Sequence, residues 1–336
     1  MTRALDATRG ADATADATAD ATADLEQFRG ELIGYCYRML GSVFDAEDAV
    51  QDTLVRAWRA HDRFDGRSSL RTWLYRIATN VCIDLGKARG RRALPMDLTA
   101  ASTADALVGD RLPGRTWVEP VPDGRVLPPV PQDPAEEVAT RESVRLAFVA
   151  ALQHLPARQR AALILRDVLR WSAAEVAELL DSSTAGINSA LQRSRSTLAE
   201  RGGGSGDGLR GDGGGGDGQH ALLARYVEAF ERFDLDALTA LLHLDVTLSM
   251  APYATWLHGP AELRRWWSGQ GSGCQGSMLC RVTANGSAAF GQYRPGGVPW
   301  ALQVVEVADG RISSITSFLD TERLFPLFDL PPRVEA

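Results

Sequence analysis

Apolar residues recur at three- and four-residue intervals from Leu25 to about Arg92, the spacing of helices that bury one face. In DAEDAVQDTLVRAW, which begins at Asp45, the residues Val50, Leu54, Ala57 and Trp58 have the spacing for burial. That leaves Asp45, Glu47, Asp48, Gln51 and Asp52 for a basic surface elsewhere. The following stretch, SSLRTWLYRIATNVCIDLGKARGRR from Ser68, has the opposite character. Its Leu70, Trp73, Leu74, Ile77, Ala78, Val81 and Leu85 form the apolar stripe, and Arg71, Arg76, Thr79, Asn80, Asp84, Lys87, Arg89, Arg91 and Arg92 are left outside. Arginine, amide and aromatic groups together are what a nucleic-acid surface needs. With Gly41 and Gly66 as punctuation, residues 25–93 are predicted to form a compact bundle of three or four helices.

Periodicity then lapses over residues 94–134, where Pro95, Pro113, Pro120, Pro122, Pro128, Pro129, Pro131 and Pro134 favour extended chain and predict a long linker. It returns over residues 135–201. There WSAAEVAELLDSSTAGINSALQRSRSTL has helix-turn-helix form: a helix at Ser172 to Leu180, a turn at Asp181 to Ser183, and a second helix from Thr184. Val176, Leu179, Leu180, Ile187 and Leu191 are spaced to hold the pair together. Ser182, Ser183, Thr184, Asn188, Ser189 and Gln192 are small or amide groups able to enter a major groove, and Arg193 and Arg195 are placed for phosphates. An ordinary helical hairpin is the bland alternative, and the density of groove-sized polar residues weighs against it.

Residues 202–219 are a glycine-rich tether by composition. Beyond it, Leu222, Leu223, Tyr226, Val227, Phe230 and Phe233 share one helical face, and a shorter helix is predicted at Asp236 to Leu242. Strand-like runs follow at Asp245–Met250, Ser277–Thr283, Ser287–Tyr293, Trp300–Val307 and Arg311–Phe318, with Asn285-Gly286 and Asp309-Gly310 as turn signals. Helix, helix, strand, helix and then a meander predict an α+β domain over 220–330, a curved sheet with helices on one face. The whole is a multidomain chain, all-α in its first two parts.

Composition narrows this picture. A chain of 336 residues with 45% apolar content can bury more than one core, and its net charge of −7 places any nucleic-acid contact in local patches rather than in a general basic field. Residues 11–22 repeat Ala-Asp-Ala-Thr three times, so residues 1–24 read as a disordered acidic arm. Cys36, Cys82, Cys274 and Cys280 lack zinc-site spacing and read as thiols of a reducing compartment. No metal or other cofactor is expected. No run reaches the roughly 20 apolar residues of a membrane span, and there is no signal pattern, so a cytoplasmic protein with no membrane contact is expected.

Over roughly residues 25–200 the chain resembles the group IV, or extracytoplasmic-function, sigma factors of bacterial RNA polymerase. The resemblance rests on DAEDAVQDTLVRAW, on FDGRSSLRTWLYRIATNVCID and on LPARQRAALILRDVLRWSAAEVAELLDSS, in that order. It implies a non-enzymatic factor that brings core RNA polymerase to promoter DNA, with polymerase-binding residues Asp45, Glu47, Asp48, Gln51 and Asp52. The loop Phe64 to Ser69, with Arg67 and Ser68, would hold a flipped minus-10 base, and Trp73, Arg76, Asn80 and Asp84 would line the adjoining helix, flanked by Lys87, Arg91 and Arg92. Trp73 equally fits the apolar stripe as a core residue. Ser183, Thr184, Asn188, Ser189, Gln192, Arg193 and Arg195 would face the minus-35 element. Many relatives carry lysine and arginine where this chain has Asn188 and Ala190, so its affinity for isolated DNA should be weak. A separate anti-sigma protein is a further partner the resemblance suggests.

Residues beyond Gly218 resemble the SnoaL-like, nuclear-transport-factor-2-like superfamily, through the opening helix, DVTLSMAPYATWLHGPAELRRWW and ITSFLD. Such folds enclose a pocket, here expected at Asp245, Tyr253, Trp256, His258 and Asp320, with a small molecule as its ligand. His243 and His258 read as surface residues rather than metal ligands. The leading expectation is a promoter-specificity factor whose third domain regulates it in cis. One rival is a cyclase or isomerase with Asp245, His258 or Asp320 as base, fused to a DNA-binding module; the other is a one-component, ligand-responsive repressor.

Overall fold

The computed structural model describes residues 23–106, 108–127, 134–202 and 216–335. The arm before residue 23 and the tether at 203–215 lie outside the described residues. Two compact units are present, and the chain crosses between them more than once: one unit runs to Arg89 and resumes over Leu155–Ser194, while the other holds Gly90–His154 and the chain from Arg195 onward. The proline-rich stretch and the opening of the second helical block thus belong to the unit that contains the sheet.

In the first unit the helices Arg29–Leu40, Val43–Ala60 and Leu70–Arg89 pack around Leu32, Tyr35, Met39, Val50, Leu74, Tyr75 and Val81, all at most 1% exposed. Local signals set their ends. Gly41 closes the first helix with φ 71°, a left-handed conformation that costs glycine nothing, and the Ser42 hydroxyl accepts from the Asp45 amide at 3.2 Å to start the second. Ser69 does the same for the third through the Thr72 amide at 3.0 Å. Later in the chain, Ala157–Leu163, Ala173–Leu179 and Thr184–Gly202 supply the helical block, and Ser172 and Glu175 form a reciprocal capping box before Ala173.

Burial expectations are reversed at several positions. Trp58 is 50% exposed, because Ala46, Ala49, Val50, Thr53, Leu54 and Ala57 already define the buried side and one further residue turns the indole about 100° away from Ala57. Thr79, expected outside, is 2% exposed, its hydroxyl bonded to the Tyr35 hydroxyl at 2.7 Å and donating to the Tyr75 carbonyl at 2.6 Å.

The second unit is built on a six-stranded sheet in the order β2-β1-β6-β5-β4-β3. Its strands are β1 (Leu242–Ala251), β2 (Trp256–His258), β3 (Met278–Ala284), β4 (Ser287–Arg294), β5 (Val298–Ala308) and β6 (Arg311–Phe318). All neighbours are antiparallel except β1 and β6. The three-residue β2 and the helix Thr321–Leu327 went unanticipated in the sequence. The helices Gly216–Glu231, Leu235–Ala240 and Pro260–Ser268 bring Leu222, Tyr226, Phe230, Leu238 and Leu263 into one core with Val246, Leu248, Phe290, Val305 and Ile315 of the sheet. The other side of β4 carries the chain's end: Tyr293 meets Phe325 at 5.2 Å, and Gly291 leaves room for Leu330. The proline-rich stretch lies against this domain, with bridges Arg111 to Tyr253 and Pro122 to Ala284 and a bond from the Trp256 indole to the Thr99 carbonyl at 2.9 Å.

Candidate nucleic-acid interface

The acidic helix Val43–Ala60 divides its carboxylates between two duties. Asp45 is 8% exposed and ion-paired with Arg89, so it is not the open carboxylate that charge pattern predicts. Arg89 also reaches Asp48 at 3.4 Å. Asp48 and Gln51 stand at the surface, Glu47 and Asp52 are half-buried, and Asp52 pairs with Arg56 at 2.8 Å. The open face therefore comprises Glu47, Asp48, Gln51 and Asp52, with the exposed Trp58 beyond them.

In the loop before the next helix, Phe64 stacks on Trp73 of that helix with ring centroids 5.0 Å apart, both half-buried. Arg67 is exposed and paired with Asp65 at 2.5 Å, which holds the Asp65 carboxyl below its usual range. Ser68 is half-buried, whereas Ser69 is committed to capping the helix. Asn80, Asp84 and Lys87 are exposed, the last two 3.6 Å apart.

Arg76 lies against the same unit's second helical block and donates to the Glu178 carbonyl at 2.7 Å. Beside it, Arg71 is sandwiched over the rings of Tyr75 at 5.3 Å and Trp171 at 5.1 Å while pairing with Glu31 at 2.9 Å. Burial opposes the Arg71 charge, but Glu31 and Tyr75 outweigh it, and its pKa is raised. Tyr75 and Trp171 stack at 5.0 Å, and Arg160 donates to the Met39 carbonyl, its own pKa pushed down to about 10 by burial. The helix expected to read minus-10 DNA is thus joined to the second helical block by the Tyr75–Trp171 stack and the Arg76 bond to the Glu178 carbonyl, while Arg160 ties that block to the helix Arg29–Leu40, contacts that periodicity within one segment could not reveal.

Two flanking arginines belong to the other unit. Arg91 is exposed and bonds to His154 at 2.9 Å. Arg92, expected on DNA, is 5% exposed, donates to the Trp117 carbonyl at 2.7 Å and lies 3.5 Å from Glu119. The carboxylate that draws it inward lies far along the chain, beyond the reach of local periodicity.

The second helix of the helix-turn-helix, Thr184–Gly202, buries Ile187 and Leu191 and exposes Thr184, Asn188, Ser189, Gln192, Arg193 and Arg195. Ser183 is exposed, and its hydroxyl caps the helix by accepting from the Gly186 amide at 3.0 Å.

The residues assigned to a pocket do not converge. Asp245 has a side chain 77% exposed, 3.7 Å from His258 and 4.0 Å from His243. Tyr253 and Trp256 lie against the proline-rich stretch, and Asp320 precedes the last helix, 3.4 Å from Arg323. Inside the domain runs a buried chain instead: Tyr226 donates to Gln303 at 2.8 Å, Gln303 to Gln292 at 2.8 Å, and Gln292 to Ser277 at 3.1 Å. An open groove of about 530 Å³ lies between the helix Gly216–Glu231 and the sheet, lined by Leu223, Val227, Glu231, Leu279, Arg281 and Phe290, none of them among the expected residues.

These features define a two-part helical DNA-binding protein joined to an α+β cone. Three families match in order: Sigma-70 region 2 over residues 25–92, Sigma-70 region 4 over 145–198, and the SnoaL-like domain over 223–315. The ECF RNA polymerase sigma factor SigG of Mycobacterium tuberculosis (strain ATCC 25618 / H37Rv) is 45% identical over 315 residues, covering 91% of this chain and 82% of the relative. SigW of Bacillus subtilis (strain 168) is 29% identical over 177 residues, covering 52% and 84%. The crystal structure of the M. tuberculosis sigma factor SigJ shares the fold, with a TM-score of 0.60 at 22% identity over 92% of this chain and 99% of that one. The chain belongs to the ECF RNA polymerase sigma factors and carries a SnoaL-like domain. No helix among the described residues is long and apolar enough to cross a membrane.

Proposed function

We propose that the protein binds core RNA polymerase through Glu47, Asp48, Gln51 and Asp52, with Asp45 acting from within by fixing Arg89. Phe64, Arg67, Trp73, Arg76 and Asn80 then engage the opened minus-10 element, and Thr184, Asn188, Ser189, Gln192, Arg193 and Arg195 the minus-35 element. The protein acts in the cytoplasm as a binding factor and catalyses no reaction of its own. Elements about 25 base pairs apart at 3.4 Å per step lie roughly 85 Å apart on duplex DNA. A chain whose Arg76 is bonded to Glu178 cannot read both at once. That bond carries the reading: the first unit is a closed state, and promoter engagement requires the two helical regions to part.

The third domain controls this step in cis. Supporting that view, the chain between the two sigma regions folds in the same unit as the sheet. Transcription in vitro with core polymerase provides the test. Removing residues 202–336 should change initiation from a cognate promoter, and Asp48→Lys combined with Asp52→Lys should abolish polymerase binding. Unchanged initiation refutes cis control; unchanged polymerase affinity refutes the acidic interface.

A further inference from the structure

Hairpin turns of the Asn-Gly type normally face water, yet Asn285 between β3 and β4 is 0% exposed. Asn285 and Gly286 have φ of 56° and 68°, the paired left-handed conformations of a tight hairpin turn. What covers the turn is the chain that joins the two sigma regions, held at two separate places. At one, the Asn285 amide donates to the Val121 carbonyl at 3.0 Å, and the Val121 amide returns a bond to Asn285 Oδ1 at 3.0 Å. Alongside, Pro122 bridges to Ala284, and the Gly286 amide donates to Asp123 Oδ1 at 2.7 Å. At the other, Asn285 Nδ2 donates to the Val144 carbonyl at 2.6 Å. The approach there is close enough that a Cβ on Gly286 would lie 2.7 Å from the Arg141 carbonyl oxygen.

Val144 immediately precedes the region 4 match, and Val121 lies midway between the two sigma regions. One side chain therefore gathers both ends of the segment 121–144 onto a single turn, and while it does so that segment adds no span to the connection. Freed, with the helix Pro134–Glu142 intact at about 1.5 Å per residue and the rest at about 3.3 Å per residue, the same segment could span roughly 60 Å, most of the roughly 85 Å between promoter elements.

We propose that Asn285 is a latch: the SnoaL-like domain takes up the slack between the two sigma regions by holding Val121 and Val144, and release of this turn supplies the reach that promoter engagement needs. The proposal rests on cis control by the third domain and names the residue through which it works.

Asn285→Gly in the full-length chain tests it, because glycine keeps the left-handed turn and loses only the side-chain amide. Hydrogen exchange is read at the amides of residues 285 and 286, whose acceptors Val121 O and Asp123 Oδ1 the substitution leaves in place. Their exchange should rise about tenfold or more, the loss expected when two buried hydrogen bonds are removed, with protection in β4 and β5 unchanged. Transcription should shift in the direction produced by removing residues 202–336. Unaltered exchange at 285 and 286 overturns the latch. Faster exchange without altered transcription, in a protein whose truncation does alter it, overturns the latch and leaves cis control standing. If truncation too has no effect, cis control fails and the latch fails with it.

Discussion

Trp171→Ala is the substitution that most directly tests whether the packed first unit restrains the factor. The indole is 5% exposed, stacked on Tyr75 at 5.0 Å and covered by the Arg71 guanidinium at 5.1 Å. A tryptophan buries on the order of 200 Å², which at about 25 cal/mol per Å² is roughly 5 kcal/mol in all. Taking about half as the face against Tyr75 and Arg71 leaves about 2–3 kcal/mol, to which the cation–π contact adds about 1 kcal/mol. Against this stand two buried donors without partners, Trp171 Nε1 and Arg76 Nε, each costing about 1–3 kcal/mol. Closure is therefore marginal, a property suited to an element that must open.

Losing the stacking and the cation–π contact removes about 3–4 kcal/mol, while the unpartnered Trp171 Nε1 goes with them and relieves about 1–3 kcal/mol. The net loss of about 1–2 kcal/mol should shift the balance between closed and open forms by roughly 5- to 30-fold. Small-angle scattering of the full-length variant should show a larger radius of gyration. Promoter DNA should bind about tenfold more tightly at fixed salt, because Arg76 no longer has to be withdrawn from Glu178. Far-ultraviolet circular dichroism separates this outcome from loss of the helix-turn-helix itself. An unchanged scattering profile with unchanged promoter affinity, at preserved helicity, would refute the closed-state reading.

Three smaller perturbations follow from individual contacts. Ser172→Ala removes the cap that accepts from the Glu175 amide at 3.2 Å and should cost about 1 kcal/mol, seen as a lower denaturant midpoint. Tyr226→Phe leaves the buried Gln303 oxygen without its donor and should destabilise the third domain by about 1–3 kcal/mol in thermal melts. Burial raises the Glu306 pKa above the ordinary 4.5, with Arg145 opposing, so its contribution is fully present below the unfolded value and is lost as pH rises through the folded one. The melting temperature of wild type relative to Glu306→Gln should accordingly increase as pH falls from 7 toward 4.5, and a difference independent of pH would contradict this.

Short-range signals carried the sequence reading wherever the physics is local. A helix expected from Ser172 does begin there, closed by the Ser172 and Glu175 capping box, and the strand expected at Arg311–Phe318 has those bounds, with the Asp309-Gly310 turn before it. The errors lie where a partner distant in sequence decides. Arg92 fits an exposed basic face until Glu119 is brought beside it, and Thr79 fits the same face until Tyr35 supplies a hydrogen-bond partner. Asn285 is the sharpest instance, because its turn geometry was legible while its burial was not. Nothing within the hairpin indicates that Val121 and Val144 will return to cover it.

The rival catalytic reading of the third domain turns on where its acids stand. A general base needs a substrate held against it and gains most from a site closed to water. Asp245, with a side chain 77% exposed, and Asp320, at 49%, stand in solvent on different elements of the domain. Meanwhile the cone's interior carries the hydrogen-bonded chain from Tyr226 through Gln303 and Gln292 to Ser277. A buried network of that kind fixes the relative placement of the helix Gly216–Glu231, β4 and β5. Rigidity there serves a latch better than it serves catalysis: the β3–β4 turn can grip Val121 and Val144 only if the hairpin behind it does not yield. Tyr226→Phe should therefore also speed exchange at the amides of residues 285 and 286, although neither touches the substituted side chain. An effect confined to the interior would show that the core and the turn are independent.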